Sequence, residues 1–105
     1  MRIAPLVFAA AFASALAGRA DVDKKTERTW KSKCASCHGA DGTAQTDQGK
    51  KLGIKDYTKA DFQTAKTDAD LKKAIVDGQG KEMPAYKDLA EQSDQLVQLI
   101  RSFKK

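Results

Sequence analysis

The sequence predicts a small all-α domain of three to five helices wrapped around one central group. Three observations lead there. No stretch sustains the two-residue alternation of a half-buried strand. Apolar residues instead recur at three- and four-residue spacing behind helix-capping signatures. The apolar complement is also thin: from Asp21 to Lys105 only 28 of 85 residues are apolar. A chain of that size is marginal on its own core, and a buried apolar cofactor would make up the deficit.

Residues 1–20 are expected to be a secretory leader outside this domain. Arg2 precedes an apolar run from Ile3 to Leu16, and Ala15-Leu16-Ala17 supplies a small-x-small cleavage pattern, with Gly18-Arg19-Ala20 as a second. Cleavage is therefore expected after Ala17 or Ala20. The run is short of the roughly 20 residues of a spanning helix, and no second apolar span follows. The alternative is an uncleaved anchor. The expected mature chain, residues 21–105, is a single soluble domain exported to the periplasm. Removing Arg2 and Arg19 leaves 17 basic against 14 acidic residues, a net charge of +3. Aromatics are not interleaved with the basic residues, so this is not a nucleic-acid profile.

A first helix is expected from Val22 or Asp23 to Cys34, on the stripe Val22, Thr26, Thr29, Trp30, Lys33 and Cys34. Gly39 and Asp41-Gly42 stop it. Thr43 to Lys55, polar and carrying Gly49 and Gly53, reads as a loop whose Leu52 and Ile54 face the central group. Thr58-Lys59-Ala60-Asp61 starts a short helix containing Phe62. Thr67-Asp68-Ala69-Asp70 caps another, which buries Leu71, Ala74 and Ile75 and ends at Gly78. Gly78 to Pro84 is a loop. Asp88 and Glu91 open the last helix, with Leu89, Leu96, Val97, Ile100 and Phe103 on one stripe and Leu99 beside it.

The chemistry is concentrated in Cys34-Ala35-Ser36-Cys37-His38, which holds both cysteines and the only histidine of the chain. Cys-x-x-Cys-His is the haem c attachment pattern. Residues at i and i+3 share a helix face, so both sulfurs can add to the two vinyl groups of one haem, and the next residue offers the iron an imidazole nitrogen. Other readings fail on counting. A structural zinc site takes four Cys or His ligands. A dithiol redox site sits in a strand–helix context that is missing here. A disulfide closing so small a ring is strained and constrains little.

The sixth position of the iron points to Met83, the only methionine after the start residue. It lies in a glycine-flanked loop, and Pro84 pushes it to an extended conformation. A thioether there favours the reduced, softer iron. The bland reading is a gap-filling core methionine, which would more often sit on a helix stripe.

These residues resemble the class I c-type cytochromes, small soluble monohaem electron carriers. The resemblance rests on residues 34–42, on Met83-Pro84-Ala85-Tyr86 and on residues 96–103, and it spans nearly all of the mature chain. It implies a cytochrome c fold in which the first and last helices cross. Trp30 takes the place of an aromatic that packs at that crossing. Leu99 stands where the family often has an aromatic, and Thr26 where it has glycine. Many members have a proline whose carbonyl receives the proton of the ligating histidine. None is present here, so a backbone carbonyl between Asp41 and Ile54 is expected to do that.

The resulting expectation is a non-enzymatic electron carrier with one haem c bound through Cys34 and Cys37 and ligated by His38 and Met83. Its partners would be redox proteins, membrane electron-transfer complexes or terminal reductases and oxidases. They would dock transiently on a monomer, steered by the modest lysine excess. The alternative is a haem c enzyme or a gas-binding or sensor module with a labile sixth ligand.

Overall fold

The computed structural model describes residues 22–105; the leader and its cleavage sites lie outside the described residues. The first helix is built from α1 (Lys24–Thr29), a π-helical turn (Trp30–Cys34) and α2 (Ala35–His38), which run on without a break. Asp23 caps it, its carboxylate accepting from the Thr26 N–H at 2.8 Å. In the π turn the Ala35 N–H reaches back five residues to the Trp30 carbonyl. Gly39, at φ +86°, ends the helix.

The segment expected to be a loop contains a helix, α3 (Asp47–Leu52). Thr46 caps it through the Gly49 N–H at 2.8 Å, and Gly53 closes it in the left-handed conformation. The next helix, α4 (Ala60–Ala65), starts later than expected, with Lys59 at its cap. Thr58 is turned away from capping because its N–H and hydroxyl both donate to the Asp56 carboxylate, at 2.8 and 2.6 Å.

Thr67 and Asp70 form the expected capping box of α5 (Asp68–Asp77), and Gly78 follows it. The expected opening of the last helix at Asp88 is instead a 3₁₀ turn (Lys87–Gln92), and α6 (Ser93–Ser102) begins after it. The tighter winding lets the Leu89 N–H bond the Tyr86 carbonyl at 2.9 Å. It also puts Leu89 into the core. With 24–38 taken as one helix, the described residues form five α-helices and no strand, as the periodicity predicts.

The core joins Trp30 to Leu71 and Ile75 of α5, to Leu89, and to Leu96, Val97, Leu99 and Ile100 of α6, with Phe103 closing it. The first and last helices pack together. Thr26 and Leu99 are both buried, at 1 % and 2 % exposed. Two side chains of the 3₁₀–α6 segment stitch the contact: Gln92 Oε1 accepts from the Thr29 hydroxyl at 2.8 Å, and Gln95 Oε1 from the Asp23 N–H at 3.1 Å.

Arg101 fastens α6 to the α4–α5 junction. Its guanidinium donates to the Gln63 carbonyl and side-chain oxygen, the Lys66 carbonyl and Asp68, all within 2.9 Å. Gln63 itself is buried and donates to the Tyr57 and Ile100 carbonyls.

Candidate functional site

The end of the first helix presents Cys34, Cys37 and His38 together. Cys34 is the last residue of the π turn, while Cys37 and His38 belong to α2. Both cysteines are half-buried and form no disulfide. Burial pushes the Cys34 thiol up to about 11, against a smaller opposing pull from Lys33, so it is protonated near neutral pH.

His38 is also half-buried, and burial lowers its pKa below the usual value. The ring is therefore neutral at pH 7, the form that donates a lone pair to a metal. Its Nδ1 is buried without a hydrogen-bond partner. The carbonyl expected for it between Asp41 and Ile54 is not there. Forming α3 uses carbonyls of this segment internally: Thr46 O accepts from the Lys50 N–H at 3.0 Å, and Gly49 O from the Ile54 N–H at 2.9 Å.

Aromatic rings enclose His38. Tyr57 stacks on it with centroids 5.1 Å apart, and Trp30 lies 5.7 Å away at a tilt. Phe62 stacks on Tyr57 at 4.5 Å, and Phe103 packs on Trp30 at 5.2 Å. Burial, with a smaller push from Cys34, raises the Tyr57 phenol to about 12. The indole N–H of Trp30 donates to the Gly39 carbonyl at 2.9 Å in a buried bond, so Trp30 grips the chain just past His38.

Met83 is half-buried and packs on the same core as Cys34, Ala35, Tyr57, Phe62 and Tyr86. Its loop is pinned rather than slack. The Gln79 N–H bonds the Met83 carbonyl at 2.9 Å, and the Met83 N–H returns to the Gln79 carbonyl at 3.2 Å. Tyr86 ties this loop to the rest of the site, its N–H on the Ile75 carbonyl at 2.9 Å and its hydroxyl on the Lys33 carbonyl at 3.3 Å. Met83 thus joins the cysteine helix through shared apolar packing and Tyr86. Of the two apolar residues expected to face the site, Ile54 is half-buried and Leu52 is 38 % exposed.

The sequence reading passed over Tyr57 and Thr46 as parts of this assembly and had Tyr86 only within the Met83-Pro84-Ala85-Tyr86 stretch that carries the resemblance. Tyr57 is an aromatic isolated in a polar stretch, which is a signal of sorts. Thr46 and Tyr86 act on backbone atoms nine and 53 residues away, and spacing carries no trace of that. A shallow groove of about 460 Å³ lies beside the site's helix, lined by Lys25, Arg28, Thr29, Lys31 and Ser32. No helix among the described residues is long and apolar enough to cross a membrane.

Residues 21–103 match the model of a protein family described as cytochrome c oxidase, cbb3-type, subunit III. Among solved structures, one described as "KustC0563 c-type cytochrome" superimposes with a TM-score of 0.71 at 30% sequence identity. The match covers 76% of this chain and 98% of that one. No curated protein sequence matches.

Proposed function

The chain belongs to the cbb3-type cytochrome c oxidase subunit III family and is a class I c-type cytochrome, an electron-carrying haem c protein; from that premise we propose a periplasmic carrier with one haem, held by Cys34 and Cys37 and ligated by His38 and Met83. The observation that carries the ligand assignment is His38: a half-buried, neutral imidazole directly after two unpaired thiols on one helix. That donor set fits haem c, and Met83 on the same apolar cluster completes it with a soft sulfur. Haem c bound there supplies a one-electron Fe(III)/Fe(II) couple.

The chain's own residues have separable tasks. Cys34 and Cys37 each add sulfur and hydrogen across one vinyl group, and the thioethers prevent loss of the cofactor. His38 and Met83 hold nitrogen and sulfur donors from opposite segments of the chain. Trp30 and Tyr57 cover part of the imidazole, and Phe103 and Phe62 back those two rings. The Gln79–Met83 bridge and Tyr86 keep the thioether's loop in place through a change of oxidation state. Redox proteins with acidic surfaces would meet a monomer, steered by its basic residues, in an interface at the small end of the size range. The cytochrome domain is residues 21–105, preceded by a leader that is cleaved after Ala17 or Ala20.

Spectroscopy of the exported protein tests this. Its mass should equal the cleaved chain plus one haem, with no titratable thiol, and acid–acetone should extract no haem. The oxidised protein should show the weak red band of methionine bound to Fe(III). Met83→Ala should keep the haem, lose that band, lower the potential and bind cyanide quickly. A wild-type protein that already lacks the band and binds cyanide quickly would instead be a haem protein with an open site.

A further inference from the structure

Three consecutive carbonyls around His38 are each held by a donor from outside the motif. Cys37 O accepts from the Thr46 hydroxyl at 2.7 Å. His38 O accepts from the Ala44 N–H at 2.8 Å. Gly39 O accepts from the Trp30 indole at 2.9 Å. A metal-ligating imidazole is normally oriented by a partner on its second nitrogen, yet Nδ1 of His38 has none. Its orientation is then left to the Tyr57 and Trp30 rings that pack on it and to the backbone that carries it.

Thr46 is the most exacting of the three contacts. Its one oxygen accepts from the Gly49 N–H at 2.8 Å while its proton goes to Cys37 O. Gly49 is pressed against the same carbonyl: a Cβ there would stand 2.8 Å from Cys37 O. Little room is left for a water to replace the hydroxyl. We propose that Thr46 is a positioning residue for His38, its hydroxyl fixing the Cys37–His38 peptide and so the direction in which the imidazole faces the iron. This rests on the reading of His38 as a haem ligand.

Three variants of the exported holoprotein separate this role from helix capping. Thr46→Ser keeps both bonds. Thr46→Asp still caps Gly49, but an ionised carboxylate has no proton for Cys37 O. Thr46→Val does neither. The readouts are the melting temperature and the hyperfine-shifted His38 ring-proton resonances of the oxidised protein. The reduction potential is added for the two neutral variants. Thr46→Ser should match wild type. Thr46→Val should melt lower, displace the resonances and favour the reduced iron by about tenfold, which is about 59 mV upward for one electron, because a misdirected imidazole donates less to Fe(III). Thr46→Asp should recover part of the melting temperature, because the cap returns while Cys37 O stays unpaired, but keep displaced resonances, and it remains readable if Thr46→Val does not fold. Wild-type resonances in Thr46→Asp would make Thr46 a cap only and overturn the proposal. A wild-type protein without covalent haem would bring down the ligand assignment, and this proposal with it.

Discussion

Trp30 shows how much one side chain joins. Its ring fills the core between His38 and Phe103, and its N–H satisfies a buried carbonyl beyond the motif. Trp30→Phe keeps most of the apolar contact and removes the donor. It should cost about 1–3 kcal/mol, the usual range for stranding a buried acceptor, at the lower end because the Gly42 N–H also reaches Gly39 O at 3.2 Å. Urea unfolding of the holoprotein measures this, and a loss below about 0.5 kcal/mol would make the bond incidental. At this scale the candidate site was legible wherever a residue type carries its own chemistry. Cysteine, histidine and methionine are each scarce here, so their positions speak. Threonine and tyrosine hydroxyls are common on polar surfaces, and only the fold shows which of them meets a distant carbonyl.

Among the elements, α5 was readable from end to end because Thr67, Asp70 and Gly78 state its limits in local chemistry. Thr67→Ala should destabilise by about 1 kcal/mol. Asp70 adds a pH signature. Hydrogen bonds from the Thr67 backbone and hydroxyl side lower its pKa below the usual aspartate value. A carboxylate whose folded pKa is depressed stabilises fully above its unfolded pKa, and that contribution fades as pH falls through the folded value. Melting curves taken from pH 6 down to about pH 3 should therefore fall less steeply in Asp70→Asn than in wild type, and identical slopes would refute the linkage. The helix α3 was not readable. Gly49 sits near its centre and Leu52 is its one apolar residue, because its tertiary role is the close approach of Gly49 to the Cys37 carbonyl rather than burial of a stripe. The π turn had no sequence signal either, since Trp30 to Cys34 is ordinary helix-compatible sequence.

For the molecule as a whole, closure depends on Arg101. Its pair with Asp68 lies at the surface, with the aspartate side chain 72 % exposed, and such pairs contribute little. The bonds to Gln63 and Lys66 span the last helix and the α4–α5 junction. Asp68→Ala should therefore cost at most about 1 kcal/mol. Arg101→Lys should cost roughly 2 kcal/mol, because an ammonium cannot reproduce the planar fork that serves several acceptors at once. Both appear as a lower urea midpoint at unchanged slope, and equal losses in the two variants would assign the clamp to the ion pair. The all-α architecture was legible from apolar spacing, and the meeting of the first and last helices from the family resemblance carried by residues 34–42, 83–86 and 96–103. The clamp was not, because Gln63 and Arg101 look like surface residues until the two segments are brought together.

The π turn lets the first helix carry one residue more than a regular helix would between two halves with different duties. Each α-helical residue advances the side chains by about 100°, but the wider turn absorbs that step, because the Ala35 N–H bonds the Trp30 carbonyl five residues back instead of four. One half turns Thr26 and Trp30 toward α6, and the other turns Cys34 toward the apolar cluster. Deleting Ser32 would bring the same N–H and carbonyl to ordinary four-residue spacing and leave both halves facing their targets. The deletion mutant, like Ser32→Ala, should therefore load haem and unfold cooperatively in urea. A deletion mutant that loads no haem would show that the widened turn itself, and not only the register it preserves, is needed where the cysteines meet the cofactor.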